Sequence, residues 1–529
     1  MGTKKLQVWL PLLFAVVMIL GMFFGYRLGN KGSSNGFFKT DKHTSLQEAL
    51  DLIRSRYVDS VNLDSIQSGA IQDMMSELDP HSVYLPPVEL KAANEDLAGN
   101  FEGIGVQFNI FSDTVNVLYV MPGGPSEKAG LEIGDKLLRV DDSLLTGRGI
   151  TSEKIRQLIR GRSGSKVILD ILRGTQRLKK EVTRGSIPVP SLEAYYMVDA
   201  TTGYMKLTKF TETSYEEFMP ALEQLKKEGM TSLIFDLRGN TGGYMNEAVE
   251  MADEFLSGDK LIVYTQGANN PKREYKARRP GLFETGKLVV LVDETSASAS
   301  EVLAGALQDW DRATIVGRRT FGKGLVQEQY PLSNGAALRL TVARYYTPLG
   351  RSIQRPYDHG KKDYMDEVWK RYSNGEMFSA DSNKINHGPQ YRTPGGKIVY
   401  GGGGIMPNEF VALDTATYPA RINNIFISGR FESFVYQYYL AHKNILDGYK
   451  NAGQYIREFN QLDNMWSQFT TYMAKDSVQA SQLNARQQES LRFRLEANLA
   501  RFRWRTSGYY QVMNNEDVAF RKALELVKK

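Results

Sequence analysis

Thr231 to Leu237 and Leu288 to Val292 have the length and apolar character of buried strands, and each gives way within a few residues to a helical pattern. The first is followed by the amphipathic stretch Tyr244 to Leu256, the second by Ser300 to Leu307, and Thr314 to Gly317 adds a short third strand. Strands alternating with helices imply a largely parallel α/β core, here expected over residues 186–420. In such a core, ligands sit where strands give way to loops. Two loops of this kind stand out. One is Asp236-Leu237-Arg238-Gly239-Asn240-Thr241-Gly242-Gly243, the other Thr295-Ser296-Ala297-Ser298-Ala299-Ser300-Glu301.

The chain has 529 residues, room for about three domains. Residues 95–185 read as a separate β-rich unit. Gly103-Ile104-Gly105-Val106-Gln107-Phe108 opens a strand pattern and Val115 to Val120 alternates as a second. Ala129-Gly130-Leu131 and Gly134-Asp135-Lys136-Leu137-Leu138 follow, then a helix from Ser152 to Ile159 capped by Thr151 or Ser152. A dinucleotide-binding role for Gly103 and Gly105 is excluded, because the required preceding strand and following helix are missing. Residues 44–94 carry apolar positions at helical spacing, from Leu46, Ala49, Leu50 and Ile53 to Ile66, Ala70, Ile71, Met74 and Met75, and end at Leu78-Asp79-Pro80-His81-Ser82. Residues 421–529 are Tyr-, Phe- and Gln-rich and lack strand alternation. They read as a helical appendage with Leu491, Leu495, Leu499 and Phe502 on a core face and Arg501, Arg503 and Arg505 on a solvated one. Self-association and adaptor docking both stay open for it.

Lys4 and Lys5 precede an apolar run from Leu6 to Tyr26, broken only by Gln7 and Pro11. Its length matches the roughly 20 residues that a helix needs to cross a bilayer. Positive charge at its start favours leaving that end in the cytoplasm. No A-x-A-like cleavage site follows. Residues 1–27 are therefore expected to be an uncleaved signal-anchor helix and 28–43 a linker. The remainder is expected on the exported, periplasmic side of the inner membrane. The chain contains no cysteine, which excludes disulfides, thiol nucleophiles and thiolate zinc sites. The net charge of +6, spread without a long basic block, gives a nucleic-acid partner no support.

Ser298 lies at a strand-to-helix junction. There its side chain is exposed, and the following N–H belongs to a helix N-terminus that favours an anion. Taken alone, the segment reads first as a helix cap. A second segment, Arg319-Thr320-Phe321-Gly322-Lys323-Gly324-Leu325-Val326-Gln327, holds a lysine between two glycines. Such a lysine acts as a base only if burial lowers its pKa from about 10.4 toward roughly 7–8. Gln327, four positions on, would share its side and hold the amine.

Together, Asp236–Gly243, Ser296–Glu301 and Phe321–Gln327 resemble the three signatures of the carboxy-terminal processing (tail-specific) serine peptidases. Only Ser298, not Ser296 or Ser300, lies 25 positions before Lys323, the family's register. Leu78–Ser82 and Gly401–Pro407 resemble further family segments, and residues 95–185 resemble a bacterial PDZ domain. The resemblance implies a crotonase/ClpP-like core with an inserted PDZ domain, and no cofactor or metal. It makes Ser298 the nucleophile, Lys323 the base and Gln327 its assistant. Ala299 and either Gly242 or Gly243 would supply the oxyanion N–H groups. Gly103, Ile104, Gly105 and Val106 would receive the C-terminal tail of a protein substrate. Asp236 and Arg238 are expected to hold the loop rather than react. The rivals are a catalytically silent peptide-binding scaffold, acyl-CoA chemistry on the same core, and a triad built on one of the five histidines, of which only His81 lies in a family-like segment.

Overall fold

A computed structural model describes residues 3–29, 44–145, 147, 149–379, 388–414, 420–475 and 478–529. The chain divides into two units, Met1–Met74 and Met75–Lys529. The first contains α1 (Thr3–Gly29), with Pro11 inside it, α2 (Ser45–Arg56) and most of α3 (Leu63–Ser76), and no residue of α2 or α3 is buried. Among the described residues, no helix is long and apolar enough to cross a membrane. The expected anchor segment is helical in α1. Most of the expected linker, residues 30–43, lies outside the described residues, as do His43 and His387.

The second unit opens with β1 (Val83–Leu85) and α4 (Pro87–Ala98), which Gly99 ends in the left-handed conformation. The expected boundary at residue 94 falls inside α4. A β-domain follows: β2 (Asn100–Gly103), β3 (Val106–Phe111), β4 (Thr114–Val120), α5 (Pro125–Lys128), β5 (Lys136–Val140), β6 (Ser143–Leu144), α6 (Ser152–Ile159), β7 (Lys166–Arg173), β8 (Gln176–Thr183) and β9 (Gly185–Pro188). Strands run in the order β3-β4-β5-β7-β8, which leaves β3 on an edge. The N-terminus of α6 is capped by Thr151, whose hydroxyl accepts from the Lys154 N–H at 3.2 Å. Antiparallel pairing of β2 with β9 brings the two ends of this domain together, as an insertion requires.

Next come β10 (Leu192–Met197), β11 (Thr202–Leu207), α7 (Ser214–Lys227), β12 (Ser232–Asp236), α8 (Met245–Asp253), β13 (Leu261–Gln266), β14 (Arg273–Lys276), β15 (Lys287–Val292), α9 (Ala299–Asp309), β16 (Thr314–Gly317), β17 (Leu325–Pro331), β18 (Ala337–Tyr346), α10 (Gly360–Ser373), β19 (Gln390–Arg392), β20 (Ile398–Tyr400) and β21 (Glu409–Phe410). The central sheet has the order β10-β11-β12-β15-β16-β21 and is parallel from β11 onward. This is the parallel α/β core expected from the alternation. A second, antiparallel sheet, β1-β18-β13-β14 with β17 on β18, stands beside it.

The appendage consists of α11 (Ala420–Ile427), α12 (Arg430–Ala441), α13 (Lys443–Asp447), α14 (Ala452–Glu458), α15 (Leu462–Ala474), α16 (Ala485–Met513) and α17 (Val518–Lys528). Leu491, Leu495 and Leu499 are buried in its core, with Phe502 packed against it. The last helix has a different allegiance. Leu233, Phe235, Leu288, Val290 and Val292 face the α7/α8/α9 side of the sheet, whereas Ile234, Val289 and Leu291 face Ala519, Phe520, Ala523 and Val527 of α17. Both sheet faces are covered, which is why β12 and β15 are apolar without alternation. The expected solvated arginine face needs correcting at Arg505. The helix kinks at Trp504 and Arg505, the latter at φ 57°, and this turns the guanidinium onto the ring of Tyr119 in the β-domain.

Candidate active site

Ser298 sits between β15 and α9 with φ 55° and ψ −114°, a backbone conformation that a non-glycine residue holds only when its surroundings impose it. The flanking serines are occupied elsewhere. Ser296 Oγ donates to the Leu237 carbonyl and Ser300 Oγ to the Asn240 carbonyl, both at 2.9 Å, tying this loop to the 236–243 loop. Ser298 instead lines a cavity of about 390 Å³, together with Gly242, Gly243, Ala299, Lys323, Gln327 and Tyr345.

Lys323 enters this cavity from the segment between β16 and β17. A Cβ on Gly322 would lie 3.2 Å from Arg355 Cβ, and one on Gly324 3.0 Å from the Gln354 nitrogen, so the flanking glycines permit a close backbone approach. Lys323 Nζ donates to Gln327 Oε1 at 2.9 Å, and Gln327 Nε2 donates to the His81 carbonyl at 2.5 Å. Burial, reinforced by Arg339, brings the Lys323 pKa down to about 8, against the opposing pull of Asp79 and Glu301. The His81 ring is held uncharged, its pKa pushed down to about 3 by burial and then by the Lys323 charge. Among the described residues, no hydrogen bond joins Ser298 Oγ to Lys323 Nζ.

Two buried groups lock the Ser298 and Lys323 backbones together. Glu301 accepts the N–H of Ser298 (2.9 Å), of Gly322 (2.7 Å) and of Lys323 (2.9 Å), and the Thr320 hydroxyl (2.5 Å). Burial raises its pKa to about 7 while these four donors pull it back. Tyr345 places its hydroxyl 3.0 Å from the Ser298 carbonyl and 2.5 Å from that of Lys323. Sequence reasoning missed both residues. Glu301 had a usable signal, the spacing Ser298-x-x-Glu301 of a capping box. Tyr345 had none beyond its place in a strand.

The two candidate oxyanion glycines differ. Gly242 donates its N–H to Asn240 Oδ1 at 2.9 Å. A Cβ there, at φ +96°, would come within 2.8 Å of Ser298 Cβ, so its service is close approach. The N–H groups of Gly243 and Ala299 have no partner among the described residues, and both residues line the Ser298 cavity.

Asp236 and Arg238 lie outside this cavity. Buried Asp236 accepts from Tyr204 Oη and Lys206 Nζ and from the Arg238 side chain, and Arg238 continues to Asp517 at 2.7 Å. The cations beside Asp236 hold its carboxyl well below the usual range. Gly103, Ile104, Gly105 and Val106 line a separate groove of about 250 Å³ between β3 and α6, with Phe108, Arg156, Ile159 and Arg160. The N–H groups of Ile104 and Gly105 are unpartnered among the described residues.

A parallel α/β core, a serine held in a strained strand-to-helix junction and an inserted PDZ domain define a PDZ-bearing serine peptidase. The chain matches peptidase family S41 over residues 201–360, a PDZ domain over 117–173, an activating-protease CtpB N-terminal domain over 28–87 and a family of unknown function over 422–505. It is 33% identical over 361 residues to carboxy-terminal processing protease CtpA of Bacillus subtilis (strain 168), spanning 66% of this chain and 76% of that one. It is 32% identical over 315 residues to CtpB of the same organism, spanning 59% and 65%. A solved photosystem II D1 C-terminal processing protease is 27% identical, covering 72% of this chain and 88% of its own, with a TM-score of 0.36. The chain belongs to the carboxy-terminal processing serine peptidases.

Proposed function

We propose that this enzyme captures C-terminal tails of exported proteins in its PDZ groove and cleaves the polypeptide through an acyl-enzyme on Ser298, with Lys323 as the base. The observation that carries this reading is the Lys323 amine. It is buried, lines the same cavity as Ser298, is brought down to about pKa 8 and is held by Gln327. In the reaction, neutral Lys323 takes the Ser298 proton as Oγ attacks the scissile carbonyl. The resulting oxyanion is received by the N–H groups of Ala299 and Gly243, whereas Gly242 has its N–H committed to Asn240. The Lys323 ammonium then protonates the leaving amine, and water releases the acyl group. Hydrogen bonds of this kind tighten when substrate binds, so closing the Ser298–Lys323 contact is part of the catalytic cycle.

The tail would add as a strand to the free edge of β3, with its carboxylate on the Ile104 and Gly105 N–H groups. Membrane attachment through the N-terminal apolar run belongs to the same proposal and rests on Lys4, Lys5 and the Leu6–Tyr26 composition. The deciding experiment compares Ser298→Ala with the parent on an unstructured peptide carrying a free carboxy terminus. Cleavage is expected to vanish, and equal cleavage would overturn the dyad. Attachment is tested separately, by whether the full chain stays with membranes after alkaline carbonate extraction.

A further inference from the structure

The Lys323 segment is irregular backbone without a ladder partner, so its polar groups are satisfied one by one, some by backbone, as where the Arg355 N–H donates to the Gly322 carbonyl at 3.0 Å, and the rest by side chains. Glu301 accepts the N–H groups of Gly322 and Lys323, and Gln354 accepts that of Gly324 at 2.8 Å. The Lys323 carbonyl accepts from Tyr345 Oη, and the three carbonyls that precede Gly322 are served by α10. Arg371, 2% exposed, donates to the carbonyls of Arg319 (3.1 Å), Thr320 (2.8 Å) and Phe321 (3.2 Å), three consecutive residues ending just before Gly322-Lys323. One turn earlier, Glu367 holds Arg371 Nε at 2.9 Å, Arg319 Nη2 at 3.0 Å and Arg355 Nη1 at 2.6 Å. The Arg355 guanidinium packs against the rings of both Phe321 and Tyr364, 3.9 and 4.0 Å from their centroids.

The same helix reaches the base by a second route. Tyr364 Oη lies 2.8 Å from His81 Nε2, and the His81 carbonyl is the group that receives the Gln327 amide. Gln327 in turn holds Lys323 Nζ. One face of α10 therefore fixes the segment that carries the amine and the residue that orients it. None of these α10 side chains lines the Ser298 cavity.

We propose that α10 is a positioning element for the base, with Arg371 and Tyr364 setting where Lys323 and Gln327 stand. Buried guanidinium is costly unless fully bonded, and here its bonds end on the backbone that aims the lysine. Arg371→Lys keeps the charge and loses the planar fork that reaches three carbonyls. The freed segment then admits water, and the Lys323 amine regains hydration.

The inference rests on Lys323 being the base, and the test separates the two. The full chain carrying Arg371→Lys, Tyr364→Phe or Lys323→Ala is assayed across pH on an unstructured quenched-fluorescence peptide with a free carboxy terminus. Circular dichroism and a single cooperative melt establish folding. For Arg371→Lys, kcat is expected to fall about tenfold or more with KM within twofold, and the pH limb of kcat should move upward, toward the ordinary lysine value. Tyr364→Phe is expected to lower kcat with KM unchanged. A purely structural role would lower the melting temperature and leave the limb in place, and that result overturns the proposal. Should Arg371→Lys not fold, Tyr364→Phe decides, and parental kcat refutes the inference. Activity surviving in Lys323→Ala would instead defeat the base assignment. An inactive Lys323→Ala beside a parental Arg371→Lys would defeat only the role of α10.

Discussion

Lys323 Nζ and Gln327 Oε1 stand 2.9 Å apart, and the other end of the Gln327 amide is fixed on the His81 carbonyl. Both ends of Gln327 are used, so its orientation is determined: oxygen toward the amine, nitrogen toward the backbone. Gln327→Glu replaces a neutral acceptor with a carboxylate. A neighbouring negative charge favours the ammonium form and raises the lysine pKa. The variant should lose most activity near neutral pH and recover part of it as pH rises above that of the parent limb. A rate–pH profile superimposable on the parent's would show that Gln327 does not touch the working amine.

The Lys323 pKa near 8 makes a linked prediction for rate and stability. Only neutral amine can accept a proton, so kcat/KM should climb through about pH 8. Stability carries its own sign. Because the folded value lies below the ordinary lysine value of 10.5, the unfolded chain binds more protons between about 8 and 10.5. Stability therefore rises with pH across that window. Below it, burying the amine costs a fixed amount, about 3 kcal/mol. Lys323→Met removes that cost. It should be inactive yet more stable than the parent at pH 7, with the advantage shrinking as pH approaches 10.5. Urea unfolding at three pH values measures this, and a destabilised Met variant at pH 7 would contradict it.

Glu301 receives four donors and, among its hydrogen bonds in the structure, donates to none. Glu301→Gln would turn an NH₂ group toward N–H groups that need an acceptor. At least one buried donor is then stranded, at about 1–3 kcal/mol. The Ser298 and Lys323 backbones also lose their shared anchor. The expectation is a folded, less stable protein with kcat reduced about a hundredfold, and KM little changed because Glu301 does not line the cavity. An unaltered kcat would show that the shared carboxylate does not set the geometry.

The strands of the core were legible because a parallel sheet covered on both faces leaves an unmistakable apolar run, as in Leu288 to Val292. The family resemblance singled out Ser298, Lys323 and Gln327 by their register, and all three line one cavity. What spacing does not encode is which N–H remains free. The choice between Gly242 and Gly243 turns on the Asn240 side chain folding back by two residues. Arg371 was invisible for a different reason. It acts on carbonyls about fifty positions away, and a lysine- and arginine-bearing amphipathic helix looks the same whether its arginine meets water or backbone. Arg505 illustrates the same limit, since a kink decides its direction.

The C-terminal helix is the clearest case of a segment whose sequence announces a helix and conceals its partner. Phe520 is 4% exposed and packs edge-on against Tyr204, 5.5 Å between centroids, beneath the strand that carries Asp236. Asp517, its N-cap, pairs with Arg238 at the head of the 238–243 loop. Phe520→Ala empties a site in the sheet's covered face and should cost about 3–5 kcal/mol. Asp517→Asn should instead spare most of the stability, because the pair is partly exposed, and act on the loop by loosening Arg238. If the appendage were merely appended, Phe520→Ala would leave the unfolding of the catalytic core untouched. If α17 is the core's missing layer, the core transition shifts to lower urea, and deleting residues 518–529 abolishes both folding and cleavage.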